Sequence, residues 1–368
     1  MFTQTKRVRY IRDLQQIPQL SSEEKEKLKA VSDKYAFRAN DYYLDLIDWS
    51  DKHDPIRHLI IPHENELTDW GHLDASNEAA HTKARGVQHK YKDTVILLCN
   101  EVCGSYCRYC FRKRLFMNEN TEVTINIDEG LKYISENPGV TNVLLTGGDP
   151  LLLSTNRLTM ILEELRKIRH VQIIRIGSKM PAFDPWRILD DENLLDTFER
   201  VSHSDKRLYL MMHFDHPREL TEPAIAGIDK LIKRGVICCN QCPIIKGVND
   251  NTDTLTELFR LLSYAGCPPY YVFQGRPTKG NEPYEVPIAR GYKLIQDAIK
   301  RSSGLAARGR FVMSHATGKI EISGLDEKYI YMKYLRAHHP ENIGKTMRFH
   351  RDDTAYWLDQ LKSSDVSD

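Results

Sequence analysis

The stretch Thr94-Val-Ile-Leu-Leu-Cys99-Asn-Glu-Val-Cys103-Gly-Ser-Tyr-Cys107-Arg-Tyr-Cys110 joins a short apolar run to three crowded thiols. Residues Thr94 to Leu98 are β-branched or aliphatic and read as a buried strand. Cys103, Cys107 and Cys110 then fall on one loop at the carboxyl edge of that strand. Three thiolates at these unequal spacings can hold a four-iron cluster and leave one iron open to bind and activate a small molecule. Gly104 lets the backbone bend around a bulky group, and Tyr109 offers a flat apolar face beside it. The alternative is a zinc site completed by His89 or His213, because Cys3His is an accepted zinc set. Zinc more usually takes Cys-x2-Cys at both ends, whereas only Cys107 and Cys110 form such a pair. Cys99, inside the apolar run, reads as a small core residue.

Outward from this loop the same alternation repeats. Further strands are expected at Asn142 to Thr146, Val171 to Ile176, Leu208 to His213, Val236 to Asn240 and Tyr270 to Gln274. Amphipathic helical stretches such as Leu158 to Ile168 and Ala224 to Arg234 lie between them. Six strands linked by right-handed crossovers predict an α/β fold, a partial (βα)6 barrel over residues 86–300, with its chemistry at the carboxyl ends of the strands. Residues 1–85 predict a helical N-terminal region, in which Ser21 and Glu24 have capping-box spacing and Asp54-Pro55 and Ile61-Pro62 punctuate the chain. Residues 301–368 form a C-terminal segment with one more strand, Arg310 to Ser314, a turn at Thr317-Gly318 and a polar tail ending in disorder.

The 368 residues are 41% hydrophobic and 28% charged, enough to bury a core and stay in solution. Lys and Arg total 52 against 51 Asp and Glu, so no overall field draws nucleic acid or an anionic membrane. The basic start, Met1 to Tyr10, lacks a signal peptide's apolar stretch, and a cytoplasmic protein is expected. Eight cysteines are too few for a disulfide scaffold. Cys239 and Cys242 read as core.

Cys-x3-Cys-x2-Cys with an aromatic before the last cysteine resembles the radical S-adenosylmethionine superfamily. The run from Gly86-Val-Gln-His-Lys-Tyr-Lys-Asp to Cys-Phe-Arg-Lys-Arg114 is similar, more narrowly, to the lysine 2,3-aminomutase family. So are Leu-Leu-Thr-Gly-Gly-Asp-Pro-Leu151, Ile-Arg-Ile-Gly-Ser-Lys179, His-Phe-Asp-His-Pro217, Asn-Gln-Cys-Pro-Ile-Ile-Lys-Gly-Val-Asn249 and Pro-Tyr-Tyr-Val-Phe-Gln274. The likeness covers most of residues 54 to 320 in family order. It implies a 4Fe-4S cluster on Cys103, Cys107 and Cys110, with S-adenosylmethionine near Tyr109, Gly147, Gly148, Asp149, Ser178, His213 and Gln241. It also implies pyridoxal phosphate near Tyr91, on the amine of Lys319, and a one-electron donor such as flavodoxin or ferredoxin. The implied enzyme is an aminomutase, converting an α-amino acid to its β-isomer.

Two departures concern the second cofactor. The glycine-rich stretch before the lysine is shortened to Ala316-Thr317-Gly318, and the phosphate-binding arginine after Tyr-x-Asp is replaced by Thr94, for which Lys90 or Lys92 could compensate. The resemblance assigns Arg112 to the substrate's α-carboxylate, suited to a guanidinium fork. The two aspartates that bind lysine's terminal ammonium align here with Arg276 and Ser314, so free L-lysine is not the expected substrate. Glutamate or another acidic or neutral amino acid fits better, unless Arg276 points outward. Two alternatives remain: a relative without pyridoxal phosphate, or a zinc-stabilised interaction module. No cysteine follows Cys267, so the C-terminal zinc staple of some family members cannot form; a homo-oligomer is still compatible with the sequence.

Overall fold

The computed structural model describes residues 7–117, 121–124 and 126–364; the first residues of the basic start and the last four of the polar tail lie outside the described residues. A small antiparallel pair, β1 (Tyr10–Ile11) and β2 (Ala39–Asn40), lies in the N-terminal region. All other strands share one twelve-stranded sheet whose spatial order follows the chain: β3 (Thr82–Ala84), β4 (Val87–Tyr91), β5 (Thr94–Asn100), β6 (Asn142–Gly147), β7 (Ile173–Ser178), β8 (Arg207–Met212), β9 (Ile237–Pro243), β10 (Pro269–Phe273), β11 (Arg310–His315), β12 (Gly318–Leu325), β13 (Tyr329–Ala337) and β14 (Thr346–His350). Strands β5 to β11 are parallel. Antiparallel strands flank them on both sides.

The six expected strands are all present within two or three residues of their predicted limits, and Arg310 to Ser314 becomes β11, a seventh parallel strand that extends the expected six. Helices Asp128–Glu136, Thr155–Lys167, Glu192–Val201, Glu222–Lys233, Thr252–Tyr264 and Ile288–Lys300 make the crossovers. Period-two alternation decides which residues reach the interior. On β6, Val143 and Leu145 pack into the core beneath the helices, while Asn142, Leu144 and Thr146 line a central cavity. On β7, Ile174 and Ile176 face the core and Arg175 and Gly177 the cavity.

The sheet does not close by strand pairing. Its two sides meet through side chains instead: Arg336 of β13 pairs with Asp93 in the β4–β5 turn, Lys90 of β4 donates to the His315 carbonyl, and Ser76 Oγ donates to the Ser314 carbonyl at 2.9 Å. The fold is an open α/β barrel with a side-chain seam.

The N-terminal region is helical as expected. Ser21 Oγ accepts from Glu24 N at 3.2 Å and Glu24 Oε2 from Ser21 N at 3.0 Å, completing the capping box of helix Ser22–Lys34. Asp54, read as a break, caps helix Pro55–Ile60, with proline at the first turn where no amide proton is needed. This region buttresses the cysteine loop: Tyr106 N donates to Arg38 O and Arg108 N to Leu59 O, both at 2.9 Å. Beneath the loop Glu66, fully buried, pairs with Arg108 at 2.7 Å and Lys113 at 3.0 Å. Burial alone would raise the Glu66 carboxyl, but those two cations hold it down to about 2. Among the described residues no helix is long and apolar enough to cross a membrane.

Candidate active site

Every residue expected at the site lines one cavity of about 460 Å³ at the carboxyl ends of the parallel strands and along the seam. Its wall carries the basic side chains Lys90, Arg112, Arg175, Lys179, Arg276, Lys319 and Arg336 against two carboxylates, Glu78 and Asp149. Basic side chains outnumber the carboxylates on this wall, which favours anionic ligands.

At one end are Cys103, Cys107 and Cys110. Burial raises all three thiols, Cys107 to about 12, so each keeps its proton until a metal cation displaces it. The Arg112 amide donates to Cys110 Sγ at 3.4 Å, the kind of N–H to sulfur contact that stabilises a ligating thiolate. Among the described residues no three His, Cys, Asp or Glu side chains gather as a single ion requires. A cluster makes no such demand, because each thiolate binds a different iron. His89, weighed as a zinc ligand, bonds instead to Tyr133 Oη at 2.8 Å, away from the cavity. Cys99 is buried in the core as expected, as is Cys242; Cys239 is only half-buried, because alternation on β9 turns it away from Cys238 and Cys242.

The Gly147-Gly148 turn holds the cysteine loop. Gly147 has φ of 117°, and a methyl group on Gly148 would meet the Val102 backbone at 2.4 Å. The pair was expected to bare its backbone for a ligand; it also serves close packing of two main chains. The Asp149 carboxylate is committed within the protein. Oδ2 accepts from Ser178 Oγ at 2.9 Å and Lys179 N at 2.8 Å, and Oδ1 from Leu151 N at 3.0 Å.

His213 lies beside a buried network that sequence reading missed. His213 Nε2 is 3.0 Å from Asp215 Oδ1, Tyr109 Oη donates to Asp215, and Lys179 Nζ reaches Asp215 at 2.7 Å and Glu219 at 2.6 Å. The polar end of Tyr109, not only its face, is therefore in use. Lys179 is raised above the ordinary lysine range because its two carboxylate partners outweigh the cost of burial.

Next to the cysteine loop, Arg112 does not form the solvated turn that Arg112-Lys113-Arg114 could suggest. Its fork is bidentate on Glu78, at 3.0 and 3.2 Å, with a third bond to Thr146 Oγ1 at 3.2 Å. Glu78, unforeseen, also meets Arg114 at 2.7 Å and Arg276 at 3.5 Å. Burial opposes its ionisation, yet Arg112, Arg276 and Arg114 keep it well below the ordinary glutamate value. Arg276 points inward, its guanidinium 3.6 Å from the Phe111 ring centre. Burial lowers it to about 10, so it stays charged at neutral pH.

Lys319 lies on β12 inside the cavity. Nζ donates to Ser314 Oγ at 3.0 Å and sits 4.5 Å from the Phe273 ring centre and 4.8 Å from that of Tyr271. Burial, then Arg276, Arg175, Lys90 and Arg336, drive its pKa well below the ordinary 10.5. Burial and neighbouring cations thus shift this amine toward its uncharged, nucleophilic form. Of the two lysines considered as phosphate partners, Lys90 lines the cavity and Lys92 is exposed.

A parallel open barrel that presents three such cysteines after its first strand, at the mouth of a cation-lined cavity, defines a radical S-adenosylmethionine enzyme, and a model of the radical SAM superfamily matches residues 97–259. Across 96% of its length the chain is 52% identical to a protein of Aquifex aeolicus (strain VF5) provisionally named L-lysine 2,3-aminomutase, covering 95% of that protein. It is 33% identical to the L-lysine 2,3-aminomutase of Clostridium subterminale (81% of this chain, 71% of the relative). It is 32% identical to the glutamate 2,3-aminomutase of Clostridioides difficile (strain 630) (82% and 70%). The chain belongs to the lysine 2,3-aminomutase family. It is an isomerase whose cofactors include a 4Fe-4S cluster and S-adenosylmethionine.

Proposed function

We propose that this enzyme moves the amino group of an acidic or neutral amino acid from Cα to Cβ, with pyridoxal phosphate on Lys319, and that free L-lysine is not its preferred substrate. The observation that carries the reading is Arg276, charged and lining the cavity, at the position where the family resemblance puts the substrate's distal group. A lysine ammonium about 5 Å from that guanidinium would be repelled by roughly 3 kcal/mol at an effective dielectric of about 20. A carboxylate there would be attracted by as much.

The cluster and S-adenosylmethionine supply hydrogen abstraction, and pyridoxal phosphate supplies a ring that delocalises the unpaired electron during nitrogen migration. Cys103, Cys107 and Cys110 would ligate the cluster, with Tyr109, Gly147, Gly148, Ser178, His213 and Gln241 around S-adenosylmethionine. Asp149, its carboxylate satisfied internally, would fix the glycine turn and Ser178 rather than bind ligand directly. Lys319, its amine shifted toward the uncharged form, would hold that cofactor. Ser314 would orient that amine. Arg112 would take the substrate's α-carboxylate in competition with Glu78, while Arg276 reads the distal group. The apolar faces of Phe111, Tyr271 and Phe273 would keep water from the reacting carbons. Reduction would come from a flavodoxin or ferredoxin; the free thiols suit a cytoplasmic setting.

The test is a panel. Reduced, reconstituted protein with S-adenosylmethionine is offered lysine, glutamate, aspartate, glutamine and alanine, and β-isomers are measured. Preferential turnover of lysine overturns the reading of Arg276. Absence of β-isomers with continued formation of 5′-deoxyadenosine, and no visible band lost in Lys319→Ala, would favour the relative that lacks pyridoxal phosphate.

A further inference from the structure

Most of the cavity's cations already have partners. Arg112 is held by Glu78 and Thr146, Lys179 by Asp215 and Glu219, and Arg276 lies on Phe111 beside Glu78. Arg336 differs. It comes from β13, a strand outside the parallel barrel, and the side chains of its pair with Asp93 are 36% and 41% exposed. Such a pair is weak and readily exchanged for a better anion. In the ladder between β12 and β13, Arg336 stands directly opposite Lys319. Opposed residues of an antiparallel pair share a face, with Cβ atoms about 5 Å apart. Its guanidinium also stands 5.3 Å from the centre of the Tyr91 ring, which has Lys90 at 5.7 Å. Arg175 reaches the same space from β7, its Nε bonded to Asn142 Oδ1 at 2.8 Å. Asp93 pairs with Arg336 and Glu78 acts on Lys90, which leaves these cations in excess, and a phosphate dianion would balance them.

We infer that Arg336, carried across the barrel seam, binds the phosphate of the cofactor proposed for Lys319, so that the C-terminal strands supply both the amine and a phosphate clamp. The inference rests on the reading that Lys319 takes pyridoxal phosphate. A planar fork suits a phosphate, and Asp93 holds that fork at the seam until the ligand arrives. Thr94 marks the same spot from the other side: its Oγ1 donates to Asp93 Oδ1 at 2.8 Å and it lines the cavity. An arginine at position 94 would therefore reach the volume that Arg336 occupies.

The experiment titrates anaerobically reconstituted protein with pyridoxal phosphate and, separately, with pyridoxal, following the visible band of the Lys319 adduct. Arg336→Met is expected to raise the half-saturating concentration of pyridoxal phosphate roughly ten- to a hundredfold and leave that of pyridoxal unchanged. Arg336→Lys should fall between, and Arg336→Met combined with Thr94→Arg should recover most of the loss. Unchanged binding of pyridoxal phosphate by Arg336→Met overturns the inference, as does parallel weakening of both ligands, the mark of a merely structural seam clamp. If wild-type protein forms no band that depends on Lys319, the underlying reading of Lys319 fails and the inference falls with it. A wild-type band together with an indifferent Arg336→Met refutes the clamp alone.

Discussion

Gly148→Ala tests how the cysteine loop is held. A methyl group at Gly148 would lie 2.4 Å from the Val102 carbonyl oxygen, 2.6 Å from its nitrogen and 2.7 Å from its carbonyl carbon. Ordinary contact begins at 3.4 Å, so Val102 must retreat by 1.0 Å, the difference between 3.4 and 2.4. All three atoms are backbone, and no rotamer can relieve the overlap. The Val102 carbonyl also accepts from Asp149 N and Asn100 Nδ2, both at 2.9 Å, and Cys103 is the next residue. A displacement of that size is about twice the tolerance of a preorganised ligand set. The cost to folding should be only about 1–3 kcal/mol, because the strain is confined to one loop. Iron and acid-labile sulfide per chain, counted after anaerobic reconstitution, are expected to fall below half of wild type, while the apo-protein melts only a few degrees lower. Gly139→Ala serves as control, since its methyl would meet only the Lys92 carbonyl at an ordinary 3.6 Å. Full cluster content in Gly148→Ala would refute the account of this turn.

Three further outcomes follow. Arg276→Gln should raise kcat/KM for lysine by about a hundredfold, the factor that roughly 3 kcal/mol of repulsion implies, and lower that for glutamate by about as much; an unchanged ratio would show that another residue reads the side chain. A depressed lysine pKa keeps the amine neutral at lower pH, so the pH midpoint for capture of pyridoxal phosphate should lie well below 10.5; a midpoint at or above it contradicts the buried placement of Lys319. Glu66→Gln strands two buried cations and should destabilise the fold by about 3–5 kcal/mol in chemical denaturation. In wild type the same carboxylate, depressed to about 2 from 4.5, contributes stability above its unfolded value that is lost as pH falls between those two values; an acid limb that the variant leaves unchanged would assign acid sensitivity elsewhere.

Local chemistry was readable where it is local. The cysteine spacing, the strand starting at Thr94 and the Ser21–Glu24 cap each lie within a dozen residues, and periodicity carried the rest of the barrel. The buried network was not readable, because Lys179, Asp215 and Glu219 come together only when β7 and β8 pair in register. Lys179 and Asp215 both sit inside runs that resemble the family, yet nothing in either run says that one balances the other. Glu78 was hidden for the same reason, being thirty-four residues from the Arg112 it holds. Arg336 is harder still: it lies near the end of a strand that the sequence reading did not foresee, outside the parallel barrel, and only curling of the sheet brings it back to Asp93.

The distribution of these residues along the chain bears on how such an enzyme can change substrate. The end of the cavity assigned to radical generation is built from the loop after β5 and the carboxyl ends of β6 to β9. The end assigned to the amino acid and the second cofactor draws on residues from both extremities of the sheet: Glu78 before β3, Lys90 on β4, Arg276 after β10, Lys319 on β12 and Arg336 on β13. Arg276 follows β10 and stands outside the cysteine loop, so a charge reversal there is expected to alter the local charge of the cavity without moving a thiol. Glu78, by contrast, couples the two ends. It fixes Arg112, two residues from Cys110, while facing Arg276 at 3.5 Å. A substitution at Glu78 should therefore disturb substrate recognition and S-adenosylmethionine cleavage together, whereas one at Arg276 should touch the first alone.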